Sequence, residues 1–115
     1  LDPYYFGGCT TSREALEVGA PIVNLPHRTV GQRFTQAYQR TIGITDFIAK
    51  DLDDYVRLAV EVANMKPDEK KALRERIRTS TLEKLFGRNE AGELWGDALI
   101  DIANRPRNWR WLDET

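Results

Sequence analysis

Short apolar runs alternate with helical patterns in the first half of the chain. Ile22, Val23 and Leu25 form a nearly continuous apolar run between two prolines, which is typical of a buried parallel strand. Residues 44–49 are a weaker strand candidate, and residues 1–8 resemble the end of a strand that runs into a loop. Because helices are predicted between and after these runs, the pattern favours an α/β fold with few parallel strands.

Capping residues mark the ends of three predicted helices in this alternating part. The first helix runs from Thr11 to a left-handed cap at Gly19. The second is capped by Thr29 and stopped by Gly43, and Asp51 caps the third. The residues expected to face inward are Ala15, Leu16 and Val18 on the first helix, Val30, Phe34, Ala37, Tyr38 and Ile42 on the second, and Tyr55, Leu58, Ala59 and Val62 on the third.

Only helices are predicted after Asn64. Pro67 begins a charged helix that runs to about Leu85, and its narrow inward stripe consists of Leu73, Ile77, Leu82 and Leu85. A last helix covers residues 90–105. It is expected to pack through Leu94, Ala98, Leu99 and Ile102, and the tail that follows carries Trp109 and Trp111.

The predicted strands are too few for a parallel sheet, which needs both faces and both edges covered. We therefore expect residues 1–115 to be the C-terminal segment of an incomplete domain, with the other strands upstream. On its own the segment is expected to be marginally stable or to take contacts from a second copy of itself.

Charge and cysteine content exclude several classes of partner. The 17 basic and 18 acidic residues nearly balance, and acidic residues interleave the basic ones on the charged helix, so we expect no nucleic-acid partner. The single cysteine, Cys9, gives no disulfide and no second thiol for a metal site. No apolar run approaches the roughly 20 residues that span a bilayer, so we expect no membrane segment.

A glycine-rich turn before the first helix is the strongest candidate for chemistry. Gly8, Cys9, Thr10 and Thr11 are expected to bind a diphosphate, because glycines admit a close approach and a helix start attracts anions. Glu14 follows one turn later, where a carboxylate can accept hydrogen bonds from a ribose. By spacing alone the alternative stays open that Thr11 and Glu14 form a capping box, which would satisfy the helix start without a ligand.

The turn after the apolar run of residues 22–25 is a candidate second wall of the pocket. It lies at the same predicted edge of the sheet and offers His27, Arg28, Thr29 and Arg33 as possible donor-pocket residues. Cys9 at a helix start could also be a nucleophile, but His27 is the one plausible base nearby. The residues alone therefore name no catalytic group.

The ordered set of motifs in "LDPYYFGGCTTSREALEVGAPIVNLPHRTVGQR" resembles the O-GlcNAc transferase and SPINDLY family, glycosyltransferase family 41. The similar features are Leu-Asp, an aromatic turn, glycine, paired threonines, an acid after two further positions, a Gly-x-Pro-hydrophobic-Val segment and a loop that ends in arginine. The later segments "TIGITDFIAKDLDDYVRLAVEVA" and "LRERIRTSTL" are also similar, so the resemblance covers nearly the whole chain.

This resemblance implies a two-domain GT-B enzyme, of which the chain is the end of the Rossmann-like donor-binding domain. It implies an inverting, metal-independent transferase with no cofactor, whose donor is UDP-GlcNAc or GDP-fucose. The acceptors would be Ser/Thr hydroxyls of proteins in the cytoplasm or nucleus. Upstream tetratricopeptide repeats and an N-terminal GT-B domain would belong to the same chain, and the isolated segment would be inactive.

The resemblance also implies roles for three residues. Thr10 and Thr11 would hold the diphosphate through backbone and hydroxyl groups, and Glu14 would be the ribose-binding acid. Cys9 replaces the histidine of animal O-GlcNAc transferases, and Glu14 is longer than their aspartate, so the donor's identity stays open. Another GT-B enzyme, such as an epimerase or a glycan or lipid glycosyltransferase, and a non-catalytic binding module are the alternatives.

Overall fold

Helices dominate the computed structural model, which describes residues 1–87 and 90–105. The five α-helices are α1 (Thr10–Glu17), α2 (Phe34–Ile42), α3 (Leu52–Asn64), α4 (Pro67–Thr81) and α5 (Glu90–Asn104). A short 3-10 turn, Val30–Gln32, precedes α2, and α4 continues into a π-helical turn, Leu82–Phe86. The order of the predicted helices is confirmed, and so are their approximate bounds except at α2, which begins at Phe34 and not directly after Thr29.

The predicted strands do not form in residues 1–87 and 90–105, which contain no β-ladder, so the Rossmann-like sheet is not shown. One isolated parallel bridge joins Asn24 to Ile48. In it, Asn24 N–H donates to Phe47 O at 3.1 Å, and Ala49 N–H donates to Asn24 O at 2.8 Å. Asp2 N–H also donates to Val23 O at 2.9 Å, so the extended segment at residues 1–3 lies beside the one at residues 22–25.

The physical reason is length. The run at residues 22–25 is bounded by Pro21 and Pro26, and a proline contributes no N–H to a ladder. Each extended segment therefore makes only one to three backbone hydrogen bonds to its neighbours, whereas a strand needs a continued series.

The core lies where α1, α2, α3 and α4 meet the extended segments. It consists of Leu16, Ile22, Val23, Ile42, Ile44, Phe47, Ala49, Leu58 and Ile77. Two predicted helix ends are confirmed by left-handed glycines, Gly19 at φ 80° and Gly43 at φ 75°. Asp51 caps α3 as predicted, because its side chain accepts a hydrogen bond from Asp54 N–H at 2.8 Å.

The buried face of α2 is only partly the predicted one, since Ile42 is buried and Tyr38 packs against the core, but the other buried residues are polar. Thr35, Gln39 and Ile42 are buried, whereas Val30 lies in the 3-10 turn and is exposed. Polar side chains fit in this core through hydrogen bonds: Gln39 Nε2 donates to Ile22 O at 2.6 Å, and Asn24 Nδ2 donates to Gln39 Oε1. Asn24 Oδ1 is the exception, since it is buried without a partner in the described residues. Two of the three buried residues of α2 are therefore polar, which its hydrophobic pattern did not predict.

The predicted packing of α5 is wrong. Leu94, Ala98, Leu99 and Ile102 are all exposed, and α5 has no buried residue. Trp95 on the same helix is 70% exposed. Apolar periodicity marks a face that suits burial, but it does not supply the surface that covers it. Trp109 and Trp111 lie outside the described residues.

Candidate functional site

The glycine turn lies directly before α1, and Cys9 is the N-cap residue of this helix. The capping box of Thr11 and Glu14 does not form, since α1 begins at Thr10, so Thr11 lies inside the helix, and α1 has no side-chain cap. In the described part of the chain, no group accepts a hydrogen bond from the N–H of Thr10 or Thr11. The helix start therefore keeps free donors, and both threonine side chains are exposed.

An open cleft of about 650 Å³ lies in front of this helix start. Its walls include Gly8, Cys9, Thr10 and Thr11, together with the extended segments at residues 1–3 and 20–22. The structure thus brings the four predicted diphosphate-binding residues together at one cleft. Their contact with a diphosphate stays a prediction.

The two glycines of the turn are required by close packing. A Cβ atom on Gly7 would lie 2.7 Å from Asp2 Oδ2 and 3.2 Å from Gly31 O. A Cβ atom on Gly8 would collide with Ser12 Oγ and lie 2.8 Å from Thr11 Oγ1. Any larger residue would therefore displace the turn or the first turn of α1.

Asp2 holds the glycine turn through its carboxylate, a role that the sequence alone did not indicate. Its carboxylate is buried, with 6% of the residue exposed, and Oδ1 accepts a hydrogen bond from Gly8 N–H at 2.7 Å. Tyr55 OH on α3 donates to Asp2 O at 2.8 Å. Burial raises the pKa of Tyr55, and the negative charge of Asp2 adds to the rise.

Cys9 is half-buried, and its thiol lies 3.3 Å from Tyr38 OH on α2. Burial raises the pKa of Tyr38, the contact with Cys9 raises it further, and the charge of Arg13 opposes both effects. No base lies beside the thiol in these contacts, so the arrangement favours a packing role for Cys9 over a nucleophilic one.

The predicted second wall of the pocket, the loop at residues 27–33, packs against the aromatic turn at residues 4–6, and its predicted donor-pocket residues do not line the cleft. The side chains of His27, Arg28, Thr29 and Arg33 are exposed, and none of them lines the cleft. The loop is held by Gln32 Nε2, which donates to a backbone oxygen of the aromatic turn at 3.0 Å. Its role in donor binding stays a prediction.

Within the loop, Arg33 Nε donates to His27 O, and the His27 ring lies 5.3 Å from the ring of Tyr4. Thr29 and Gln32 form a capping box around the 3-10 turn. Glu14, the predicted ribose-binding acid, is exposed on α1 and lies outside the cleft lining. The cleft lining therefore includes none of the predicted donor-pocket and ribose-binding side chains, although the loop at residues 27–33 is joined to the glycine turn through Gly31 O, which accepts a hydrogen bond from Gly7 N–H at 3.0 Å.

The described ranges offer neither a metal-binding cluster nor a helix suited to a membrane. Residues 1–87 and 90–105 contain no group of three or more His, Cys, Asp and Glu side chains that could hold a metal ion. In the same residues, no helix has the length and apolar character that crossing a membrane requires.

Comparison with known proteins identifies the class. A family model described as Glycosyl transferase family 41 matches residues 1–90. The class is therefore that of the glycosyltransferases. Because this match covers most of the chain, the chain belongs to glycosyl transferase family 41.

Curated plant proteins also align with the chain, and each is named a probable UDP-N-acetylglucosamine-peptide N-acetylglucosaminyltransferase SPINDLY. The protein from Eustoma exaltatum subsp. russellianum is 34% identical over 64 residues, and that from Petunia hybrida is 30% identical over 64 residues. Each alignment covers 56% of this chain and 7% of the relative's length. The chain thus matches a small part of these relatives.

Proposed function

We propose that this chain contributes the donor diphosphate site of a glycosyltransferase that transfers a sugar from a nucleotide to Ser/Thr hydroxyls of proteins. The observation that carries the proposal is the uncapped start of α1, which opens on the cleft through Gly8, Cys9, Thr10 and Thr11. Membership of family 41 supplies the chemistry that such an anion site would serve.

The first turn of α1 is suited to a diphosphate. The free N–H groups of Thr10 and Thr11 and the positive end of the helix dipole attract an anion, and the two exposed hydroxyls add donors. The first turn carries no acidic residue that would repel it. Backbone dipoles fixed in this way can stabilise the charge that develops on a departing nucleoside diphosphate.

A metal-independent mechanism is part of the proposal, as is inversion at the anomeric carbon. The leaving diphosphate would be stabilised by amides, hydroxyls and the dipole of α1 in place of a cation. Transfer activity should then survive an excess of EDTA. The general base would come from another part of the enzyme, in the two-domain GT-B arrangement that the resemblance implies.

The donor is either UDP-GlcNAc or GDP-fucose, and the names of the curated relatives make UDP-GlcNAc the first to test. The protein acceptor would enter between this domain and an N-terminal GT-B domain, with tetratricopeptide repeats upstream. Glu14 is proposed to accept hydrogen bonds from the donor ribose, one turn beyond the diphosphate.

The direct experiment is a transfer assay on the full-length enzyme with each labelled donor and a Ser/Thr-containing protein acceptor. Transfer from one donor that is blocked by the matching free nucleoside diphosphate supports the proposal. If neither donor is bound or used, the alternative of a non-catalytic binding module is favoured. Hydrolysis or epimerisation of the donor without transfer would favour another GT-B enzyme.

A further inference from the structure

The peptide groups on both sides of Gly8 are held by buried side chains. Gly8 N–H donates to Asp2 Oδ1 at 2.7 Å, and Gly8 O accepts a hydrogen bond from Thr35 Oγ1 at 3.3 Å. Thr35 lies in the first turns of α2 and is 1% exposed. The orientation of the loop backbone thus depends on α2 as well as on α1.

A second hydroxyl completes this arrangement. Ser12 Oγ in α1 lies 2.8 Å from Thr35 Oγ1, and Ser12 is 4% exposed. A threonine hydroxyl has one hydrogen, and that of Thr35 is used on Gly8 O. Ser12 is therefore the donor to Thr35, and the chain of hydrogen bonds runs from Ser12 through Thr35 to Gly8 O.

This chain determines where the next backbone donor points. In a planar trans peptide, the C=O of Gly8 and the N–H of Cys9 point in opposite directions. Because Gly8 C=O is directed inward to the buried Thr35, Cys9 N–H is directed away from it. Cys9 lines the cleft, and no group in the described ranges accepts a hydrogen bond from its N–H.

We propose that Thr35 is a positioning residue of the donor site, which aims Cys9 N–H at a diphosphate oxygen of the donor by holding Gly8 C=O. The inference rests on the proposed function, since it assigns a residue to the same site. Thr35 touches no substrate and acts through the Gly8–Cys9 peptide. Loss of its hydroxyl frees this peptide to rotate and weakens one donor to the diphosphate.

The test uses the full-length enzyme with three variants. Thr35→Val removes the hydroxyl, Thr35→Ser keeps it, and Thr81→Val is the matched control. Thr81 is fully buried on α4, and its hydroxyl donates to Ile77 O of the same helix at 2.8 Å. Loss of this hydroxyl should lower the free energy of unfolding by a similar amount without removing a contact of the glycine turn. Donor KM, acceptor KM and the Kd of the free nucleoside diphosphate are measured for each variant.

We expect Thr35→Val to raise donor KM and nucleoside diphosphate Kd by roughly three- to tenfold, the equivalent of one hydrogen bond. Acceptor KM should stay unchanged, Thr35→Ser should restore donor KM to within about twofold, and Thr81→Val should leave it at the wild-type value. Equal effects of Thr35→Val and Thr81→Val, or equal shifts in donor and acceptor KM, would overturn the inference.

Ser12→Ala keeps the test decisive if Thr35→Val does not fold. This variant removes the hydrogen bond to Thr35 and leaves Thr35 in place, so a smaller rise in donor KM is expected, and an unchanged donor KM would overturn the inference. If the proposed function itself fails, the wild-type enzyme will bind neither UDP nor GDP. This result separates failure of the proposed function from failure of the inference about Thr35.

Discussion

The carboxylate of Asp2 accepts a hydrogen bond from Gly8 N–H at 2.7 Å, and it thereby ties the glycine turn to the first extended segment. Asp2 is also held through its backbone, by Val23 O and by Tyr55 OH. The turn is thus fixed to the core before any ligand is present, which lowers the ordering cost of binding.

Replacing Asp2 tests this anchor. Asp2→Ala is expected to destabilise the folded protein by about 1–3 kcal/mol, because a buried donor on Gly8 loses its acceptor. Asp2→Asn should cost less, since the amide oxygen can still accept. The control is Asp46→Ala, which breaks an exposed ion pair with Arg76 and should cost less than about 1 kcal/mol. Chemical denaturation compares the variants, and equal losses for Asp2→Ala and Asp46→Ala would contradict the anchor.

The hydroxyls of Thr10 and Thr11 test the diphosphate site itself. In the full-length enzyme, Thr10→Ala with Thr11→Ala should raise donor KM by roughly tenfold or more and lower turnover, since hydrogen bonds to charged groups are worth about 1.5–3 kcal/mol each. Thr41→Ala is the matched control, an exposed helical threonine that bonds its own helix through Ala37 O. Steady-state kinetics and circular dichroism are measured together, and unchanged kinetics with intact folding would defeat the prediction.

Gly8→Ala tests the steric requirement of the turn. The added methyl would collide with Ser12 Oγ, so overpacking should cost about 1–3 kcal/mol and raise donor KM. Gly92→Ala is the control, because a Cβ there meets no atom within 4 Å and alanine favours a helix by up to about 1 kcal/mol. Melting temperatures should therefore move in opposite directions for the two variants. A Gly8→Ala protein with wild-type stability and donor KM would refute the steric argument.

The exposed apolar face of α5 predicts self-association of the 115-residue chain. Leu94 and Leu99 are 69% and 59% exposed, and contiguous apolar surface of this kind promotes association. The double variant Leu94→Glu with Leu99→Glu should lower the associated fraction in sedimentation velocity as concentration rises. Val56→Glu with Val60→Glu, on the exposed side of α3, is the control and should have little effect. A wild-type chain that stays a sharply melting monomer would contradict the prediction.

Local signals in the sequence were enough to locate the helices. Asp51, Gly19 and Gly43 act within one or two turns of their own position, so their roles can be inferred from neighbouring residues alone. Strand pairing depends on distant partners, and the isolated bridge between Asn24 and Ile48 shows that apolar runs do not by themselves make a ladder.

The candidate site could be predicted from the sequence only where its residues are close together in the chain. The glycines and threonines of the turn gave a local signal, and the structure brings those residues to one cleft. Ser12 and Thr35 gave none, because each acts through a partner from another element, and the Leu-Asp motif did not reveal that Asp2 binds the glycine turn. The hydrophobic pattern of α2 did not indicate that Thr35 is buried. A threonine is stable in a core only when its hydroxyl is hydrogen-bonded, and the partners of Thr35 lie on other elements.

The hydrogen bond from Tyr55 OH to Asp2 O joins residues that lie 53 positions apart. A contact of such sequence separation closes a long loop, whose entropic cost must be met before the contact stabilises the fold. The turn before α1 can form its helix early, but its anchor is complete only when α3 has docked. During folding, the glycine turn is therefore expected to reach its final shape late, after the helices around it have assembled.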